Sequence, residues 1–277
     1  GEHVMFVDLG VAWDPRRAQA IVEQALRFGF AAVAHTVTLA GTTSLSDVQA
    51  RRGAIQPCAI ADESLVRKGP LFGALGDSLN LPTEQTGPVL QLRRLTMVVA
   101  DAAQVAVANQ AARLRPSFDL VAVRPTTEEA FQAACERAEV DLLSLQLDER
   151  ISFPLRRKDM LAFVARGGFL EVEFAPALRD AGRRRCLFAN FRQLLEATRG
   201  GRNVFFTSGA ADPMEMRSPH DLANFASVLG LRGGKALRSL SDVPLQALQR
   251  GALRRGYAQP ARGLPAAGNG DDAEMAG

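Results

Sequence analysis

What most limits the fold of this chain is an alternation. Short apolar runs of strand length recur at Val4–Leu9, Ala31–Val37, Leu92–Val99, Leu120–Val123, Leu142–Gln146, Phe169–Phe174 and Val204–Thr207, and helical patterns fall between most of them. Strands separated by single helices pair through crossovers, which gives a parallel sheet. The first helical pattern has Asp14 as cap, Pro15 at its first position, Ile21, Val22, Ala25 and Leu26 on the inner face and Gly29 at the end. Another opens with Thr126 and Glu129 in capping-box spacing and buries Ala130, Phe131 and Ala134. Seven such strands, short loops and a helical end over 222–248 predict an α/β fold. We read it as a somewhat irregular TIM-like (β/α) barrel with one strand distorted or missed; a doubly wound open sheet is the competing arrangement.

The barrel domain is expected over residues 1–248. Residues 42–89, rich in Gly, Ser, Pro and charge, break the rhythm and read as an elaborated crossover with weak internal structure. Residues 249–277 are Gly, Ala, Pro and Arg rich, end in Asp271, Asp272 and Glu274, and are expected to be disordered. At 277 residues and 47% hydrophobic content the chain can bury one large core. No apolar run reaches the roughly 18 residues of a membrane span, and the start lacks a signal-peptide pattern. Cys58, Cys135 and Cys186 are far apart and odd in number, so a soluble protein of a reducing compartment is expected.

Charge is unusual in kind. The net charge is only +3, yet the only lysines are Lys68, Lys158 and Lys235. Arginine suits bidentate phosphate contacts, although a GC-rich genome also favours it. Its distribution is more telling. Between Ile151 and Arg202 eleven basic residues stand against five acids, a surplus of six. On a helix read from Ala177 to Thr198, Leu187, Phe188, Phe191, Leu194 and Leu195 form the buried stripe, while Arg185, Arg192 and Arg199 recur every seven residues on one flank. Two turns separate them by roughly 10 Å, a row able to follow a nucleic-acid backbone, or simply a solvated face.

Catalytic signals are sparse. His3, His35 and His220 are widely spaced, with no H-x-H, H-E-x-x-H or paired cysteines to hold zinc. His3 lies at the frayed start, His220 is placed for an exposed or capping role, and His35 stands at the end of a strand. Asp8, Glu171, Glu173, Asp212 and Glu215 lie on or after strands and read as structural hydrogen-bonding groups; Arg94, inside an apolar strand, calls for an internal carboxylate. The turn Thr207–Ala210 offers backbone amides of the kind that cradle phosphate in late barrel loops.

The stretch Asn203–Asn224 joins that turn to a helix capped by Ser218 and Pro219, with Leu222, Phe225, Ala226 and Leu229 on one face and Gly230 at its end. Its S-G-A-A-D-P-M-E-M-R-S-P-H-D-L-A-N at Ser208–Asn224 resembles the thirty-kilodalton protein subunit of eukaryotic and archaeal ribonuclease P, shared with ribonuclease MRP. So do M-F-V-D-L at Met5–Leu9, L-R-F-G-F at Leu26–Phe30, R-L-T at Arg94–Thr96, F-D-L-V-A-V at Phe118–Val123 and V-D-L-L at Val140–Leu143. The resemblance covers about residues 4–245.

The resemblance implies a barrel related to the polymerase-and-histidinol-phosphatase group that serves as a scaffold in a ribonucleoprotein rather than as an enzyme. Metal-dependent relatives begin with D-L-H-x-H, whereas Asp8-Leu9-Gly10-Val11-Ala12 has Gly10 and Ala12 at the imidazole positions. It also implies partners: ribonuclease P RNA and MRP RNA, precursor tRNA indirectly, and a small ferredoxin-like protein subunit, with no membrane. No cofactor on the protein is implied; magnesium is expected on the catalytic RNA, and residence in the nucleus and nucleolus. The pool for RNA contacts is Arg156, Arg157, Arg183, Arg184, Arg185, Arg192, Arg199 and Arg217. Two alternatives stay open: a metal-dependent phosphoesterase using Asp8, His35, Glu173 and Asp212, and a metabolic barrel binding a phosphorylated small molecule at Thr207–Ala210.

Overall fold

The computed structural model describes residues 4–41, 44–66, 88–114 and 118–256. Among them seven parallel strands stand in the order β1 to β7: β1 (Phe6–Ala12), β2 (Phe30–Ala40), β3 (Leu90–Val99), β4 (Leu120–Pro125), β5 (Leu142–Ser144), β6 (Phe169–Glu173) and β7 (Val204–Thr207). Helices α1 (Ala18–Arg27), α4 (Ala102–Arg113), α5 (Glu128–Arg137), α6 (Arg157–Ala165), α7 (Ala175–Arg179), α8 (Ala181–Ala197) and α9 (Pro219–Leu229) follow their strands and pack outside the sheet. This is the TIM-like barrel rather than the open sheet, because β1 and β7 meet.

The missing eighth strand is replaced by two different joints. At the C-terminal ends of the strands β1 and β7 bond directly: Gly209 N–H donates to Gly10 O at 2.7 Å and Ala12 N–H to Ala210 O at 2.9 Å. At the other end the turn between α10 (Lys235–Arg238) and α11 (Asp242–Arg254) wedges between them, Ser239 O accepting from Phe206 N–H at 3.0 Å and Leu240 O from Val7 N–H at 3.1 Å.

Alternation along the strands divides the core in two. Val33, Val121, Val123, Leu143, Leu170 and Phe206 face the helices, where Ile21, Phe131, Phe163 and Phe191 meet them. Val7, Leu9, Ala32, Ala34, Leu92, Leu120, Ala122 and Phe205 fill the barrel interior, and α11 plugs it from below with Ala247, Leu248 and Ala252. Gly251 lets α11 approach, since a Cβ there would lie 2.6 Å from Asp119 O. The helix read to Leu248 therefore continues to Arg254, whose guanidinium bonds Asp141 at 2.8 Å and Ala112 O at 2.6 Å. Residues 249–256, expected to begin the disordered tail, are thus ordered in α11 and its cap, and the rest of the tail, from residue 257 onward, lies outside the described residues.

Local chemistry moved several boundaries. The helix expected over Ala177–Thr198 is two, because the Asp180 backbone is extended and its carboxylate accepts from Arg183 N–H at 2.7 Å, capping α8. Thr127, not Thr126, caps α5, accepting from Ala130 N–H at 3.1 Å. Residues 14–17 form a turn before α1 rather than its first turn. The crossover is also better built than its composition suggests. Its α2 (Leu45–Arg52), α3 (Glu63–Val66) and the connection between them bury Val48, Leu65 and Ile55 respectively against the barrel, and Gln91 clasps the Cys58 backbone through two 2.8 Å bonds. Residues 67–87 of that crossover lie outside the described set.

Candidate functional site

The mouth of the barrel, at the C-terminal ends of the strands, is where an alternating barrel keeps its chemistry. Here it is filled by a network of internal charges. Arg94, with none of its side chain exposed, forms a bidentate ion pair with Glu171 and donates to Leu9 O at 2.7 Å and Thr96 Oγ1 at 3.2 Å. Thr207 Oγ1 donates to the same Glu171 at 2.9 Å. Above them Arg124 reaches Glu173 at 2.5 Å and Ser144 Oγ at 2.9 Å. Burial alone would push the Glu171 carboxyl up, yet the Arg94 guanidinium holds it below the usual range. Glu173 goes the other way, burial outweighing the pull of Arg124. The internal carboxylate expected for Arg94 is thus Glu171.

Asp8 is occupied by the seam. Its Oδ1 accepts from Gly10 N–H and Ser208 N–H at 3.1 Å each, and burial, against those bonds, raises its pKa. Gly10 stands where an imidazole would have to project, and a Cβ there would lie 2.7 Å from both Glu171 Oε1 and Thr207 Oγ1. No ligand fits at that position. His35 lies mid-strand in β2, not at a strand end, and by alternation faces outward with Val33. Its Nε2 bonds Gln91 Oε1 at 3.2 Å, its ring meets Trp13 edge-on at 5.0 Å, and burial pushes its pKa down. Asp212 caps a short turn through Met214 N–H at 3.0 Å and pairs with Arg17 at 3.2 Å. His220 is exposed, its ring against Phe6. Asp8, His35, Glu173 and Asp212 are therefore held in separate interactions, and no group of three or more His, Cys, Asp or Glu among the described residues is placed to hold a metal ion. The residues present do not fit the metal cluster that a phosphoesterase using Asp8, His35, Glu173 and Asp212 would need.

Nor does the Thr207–Ala210 turn have amides to spare. Ser208 N–H is taken by Asp8, Gly209 N–H by Gly10 O and Ala210 N–H by Ser208 Oγ at 3.1 Å. A phosphate would find no donor there.

The arginine pool divides by partner. Arg183 pairs with Asp148 and, at 3.1 Å, with Glu149; Arg156 with Glu128 at 2.5 Å; Arg192 with Glu196 at 3.5 Å, both side chains largely in solvent. Arg217 turns onto its own loop, donating to Met214 O and Met216 O at 2.7 Å, beside the Arg179–Glu215 pair. Arg184 donates to Ala177 O at 3.1 Å and keeps its charge uncompensated. Arg157 and Arg185 are exposed and make no side-chain hydrogen bond or ion pair among the described residues. Arg185 and Arg192 do lie on α8, but Arg199 falls beyond its end, so the row of three ends at two.

The sequence reading missed Arg150 and Lys158 as members of the same rim. Both are exposed, and Asn190 of α8 fastens the loop carrying Arg150 by bonds of 2.7 Å to Leu147 O and Glu149 O. The N-termini of α6 and α8 follow β5 and β6, so Arg150, Arg157, Lys158, Arg184 and Arg185 share the strand C-terminal end of the molecule. A cleft of about 170 Å³ beside Arg150, lined by Thr126, Gln146 and Phe153, is too small for a nucleotide.

A family model described as RNase P subunit p30 matches residues 5–256. Mouse ribonuclease P protein subunit p30 is 30% identical over 233 residues, covering 83% of this chain and 80% of that protein. The Arabidopsis thaliana protein GAMETOPHYTE DEFECTIVE 1 is 32% identical over 228 residues, 80% of this chain but 37% of its own length, so the chain spans little more than a third of that relative. The Saccharomyces cerevisiae ribonuclease P/MRP protein subunit RPP1 is 28% identical over 180 residues, 65% of this chain and 60% of that protein. Among solved structures, a chain of an archaeal ribonuclease P determined with mature tRNA superposes with a TM-score of 0.61 at 12% identity, covering 96% of this chain and all of that one; at such identity the likeness is one of fold.

Proposed function

The chain belongs to the RNase P subunit p30 family, and from that premise we propose that it is a non-catalytic protein subunit of the ribonuclease P ribonucleoprotein, and of ribonuclease MRP. In this role it binds and stabilises the catalytic RNA together with partner subunits, a small ferredoxin-like protein among them. The RNA and its magnesium ions cut the 5′ leader from precursor tRNA, which the protein serves only indirectly. Nuclear and nucleolar residence follows from the same reading.

The observation that carries the proposal is the disposition of charge. The carboxylates inside the barrel mouth are held by Arg94 and Arg124, while exposed cations without an ion-pair partner among the described residues stand outside on the rim at Arg150, Arg157, Lys158 and Arg184, with Arg185 beside them in the field of Asp180. Such a surface neutralises backbone phosphates without reading bases, and its binding is salt-dependent. Of the rest of the proposed pool, Arg156, Arg183, Arg192 and Arg217 supplement it, while Arg199 lies at the other end of the barrel, in the connection from α8 to β7. Affinity purification of the protein from its own cells with sequencing of bound RNA tests the proposal: ribonuclease P RNA, and MRP RNA where that complex exists, should be enriched. Absence of both refutes it. Phosphatase activity of the purified protein with added manganese or zinc, abolished by Asp8→Asn, would favour the phosphoesterase instead.

A further inference from the structure

At the end of the barrel opposite the rim, two turns pack together. One leads from α8 into β7 through Thr198-Arg199-Gly200-Gly201-Arg202-Asn203; the other joins α9 to α10 through Leu231, Arg232, Gly233 and Gly234. A Cβ on Gly201 would lie 2.5 Å from Leu231, and one on Gly200 3.6 Å from Lys235 Nζ. The first turn has a fixed backbone: Gly200 N–H donates to Leu195 O at 2.8 Å, Gly201 N–H to Thr198 Oγ1 at 3.1 Å, and Asn203 Nδ2 to Gly168 O at 3.0 Å.

From this fixed base project Arg199, Arg202, Arg232 and Lys235. All are exposed, and none makes a side-chain hydrogen bond or ion pair among the described residues. The nearby acids are occupied, Glu196 with Arg192 and Asp242 with Arg238. Arg199 adds a second signal. It sits just past the helix end at φ 53°, in the left-handed conformation that favours glycine, so the chain keeps a guanidinium at a position where glycine would be less strained. A strained backbone that carries a free charge points to something outside the chain.

We propose that Arg199, Arg202, Arg232 and Lys235 form a second RNA-backbone contact surface, on the far side of the barrel from the rim. The inference rests on the reading of the chain as a ribonucleoprotein subunit. Its ligand is phosphate on structured RNA, and the two cationic ends allow one molecule to bridge two RNA segments.

The test is fluorescence anisotropy of the full chain with a labelled transcript of the RNA that co-purifies with it, over roughly 50 to 300 mM salt. Wild type is compared with the quadruple variant R199G/R202Q/R232Q/K235Q and with R199G alone. The quadruple variant should bind at least about tenfold more weakly, with a salt slope shallower by about one per lost contact. R199G should melt at or above the wild-type temperature while binding less tightly, which separates the charge from any effect on folding. An unchanged affinity and slope in the quadruple variant would overturn the second surface and leave the subunit reading standing. A wild-type chain that captures no RNA in cells would fail that reading as well. Binding of polyglutamate, lost in the quadruple variant while RNA binding persists, would assign the patch to an acidic protein and overturn the proposal.

Discussion

A guanidinium with no contact with water must be matched by fixed charge, and Arg94 is matched by Glu171 in bidentate geometry with Leu9 O as a further acceptor. Replacing Arg94 by Ala, or Glu171 by Ala, strands the other charge and should cost about 3–5 kcal/mol in urea unfolding; the double replacement R94M/E171L should cost much less. A single variant within about 1 kcal/mol of wild type would contradict the pairing. The need for an inner carboxylate was legible, because arginine in an apolar strand run has few alternatives. Which one was not, since 77 residues of chain separate the two. His35 offers a second measurement. Its pKa is lowered from 6.5 in the folded chain, so below that value the unfolded chain takes up a proton that the folded one refuses. Stability should be fully present above about pH 6.5 and decline as pH falls, by at most about 1.4 kcal/mol per pH unit, and His35→Gln should flatten that slope in melts from pH 7 to 5.

At the scale of elements, capping chemistry was the most readable signal and also where the reading slipped. Ser218, Pro219 and Gly230 mark α9 as expected, with Ser218 Oγ accepting from Asp221 N–H at 3.2 Å and Gly230 at φ 115°. The apolar period running through 177–198 concealed the break at Asp180, because periodicity reports which face is buried and not whether the axis is continuous. Asp180→Ala should remove the α8 cap and destabilise by about 1 kcal/mol, a fall of a few degrees in melting temperature without loss of the barrel's circular dichroism. If α7 and α8 were one uninterrupted helix, the same change would stabilise, alanine being the better helix former. The rim depends on this break, since the capped first turn of α8 carries Arg183, Arg184 and Arg185.

For the whole molecule, sequence alternation was enough for a parallel barrel but not for its closure. Ser239 and Leu240 belong to no strand, and nothing in their local sequence signals that they complete the ring between β1 and β7. The candidate surface was likewise only half readable: charge counts located the basic stretch, but separating Arg157 and Arg185 from Arg183 and Arg156 required knowing where Asp148, Glu149 and Glu128 lie. Truncation before Asp242 removes the plug of Ala247, Leu248 and Ala252 and should leave a chain that binds hydrophobic dyes and melts without a cooperative transition; a sharp melt in the truncated chain would show the plug to be dispensable. The wedge between the first and last strands also bears on the chain's synthesis. On the ribosome β1 is made before the wedge, and it cannot find its lower partner until Leu240 has emerged, so the growing sheet stays open and sticky over all the strands between and is a natural client for chaperones.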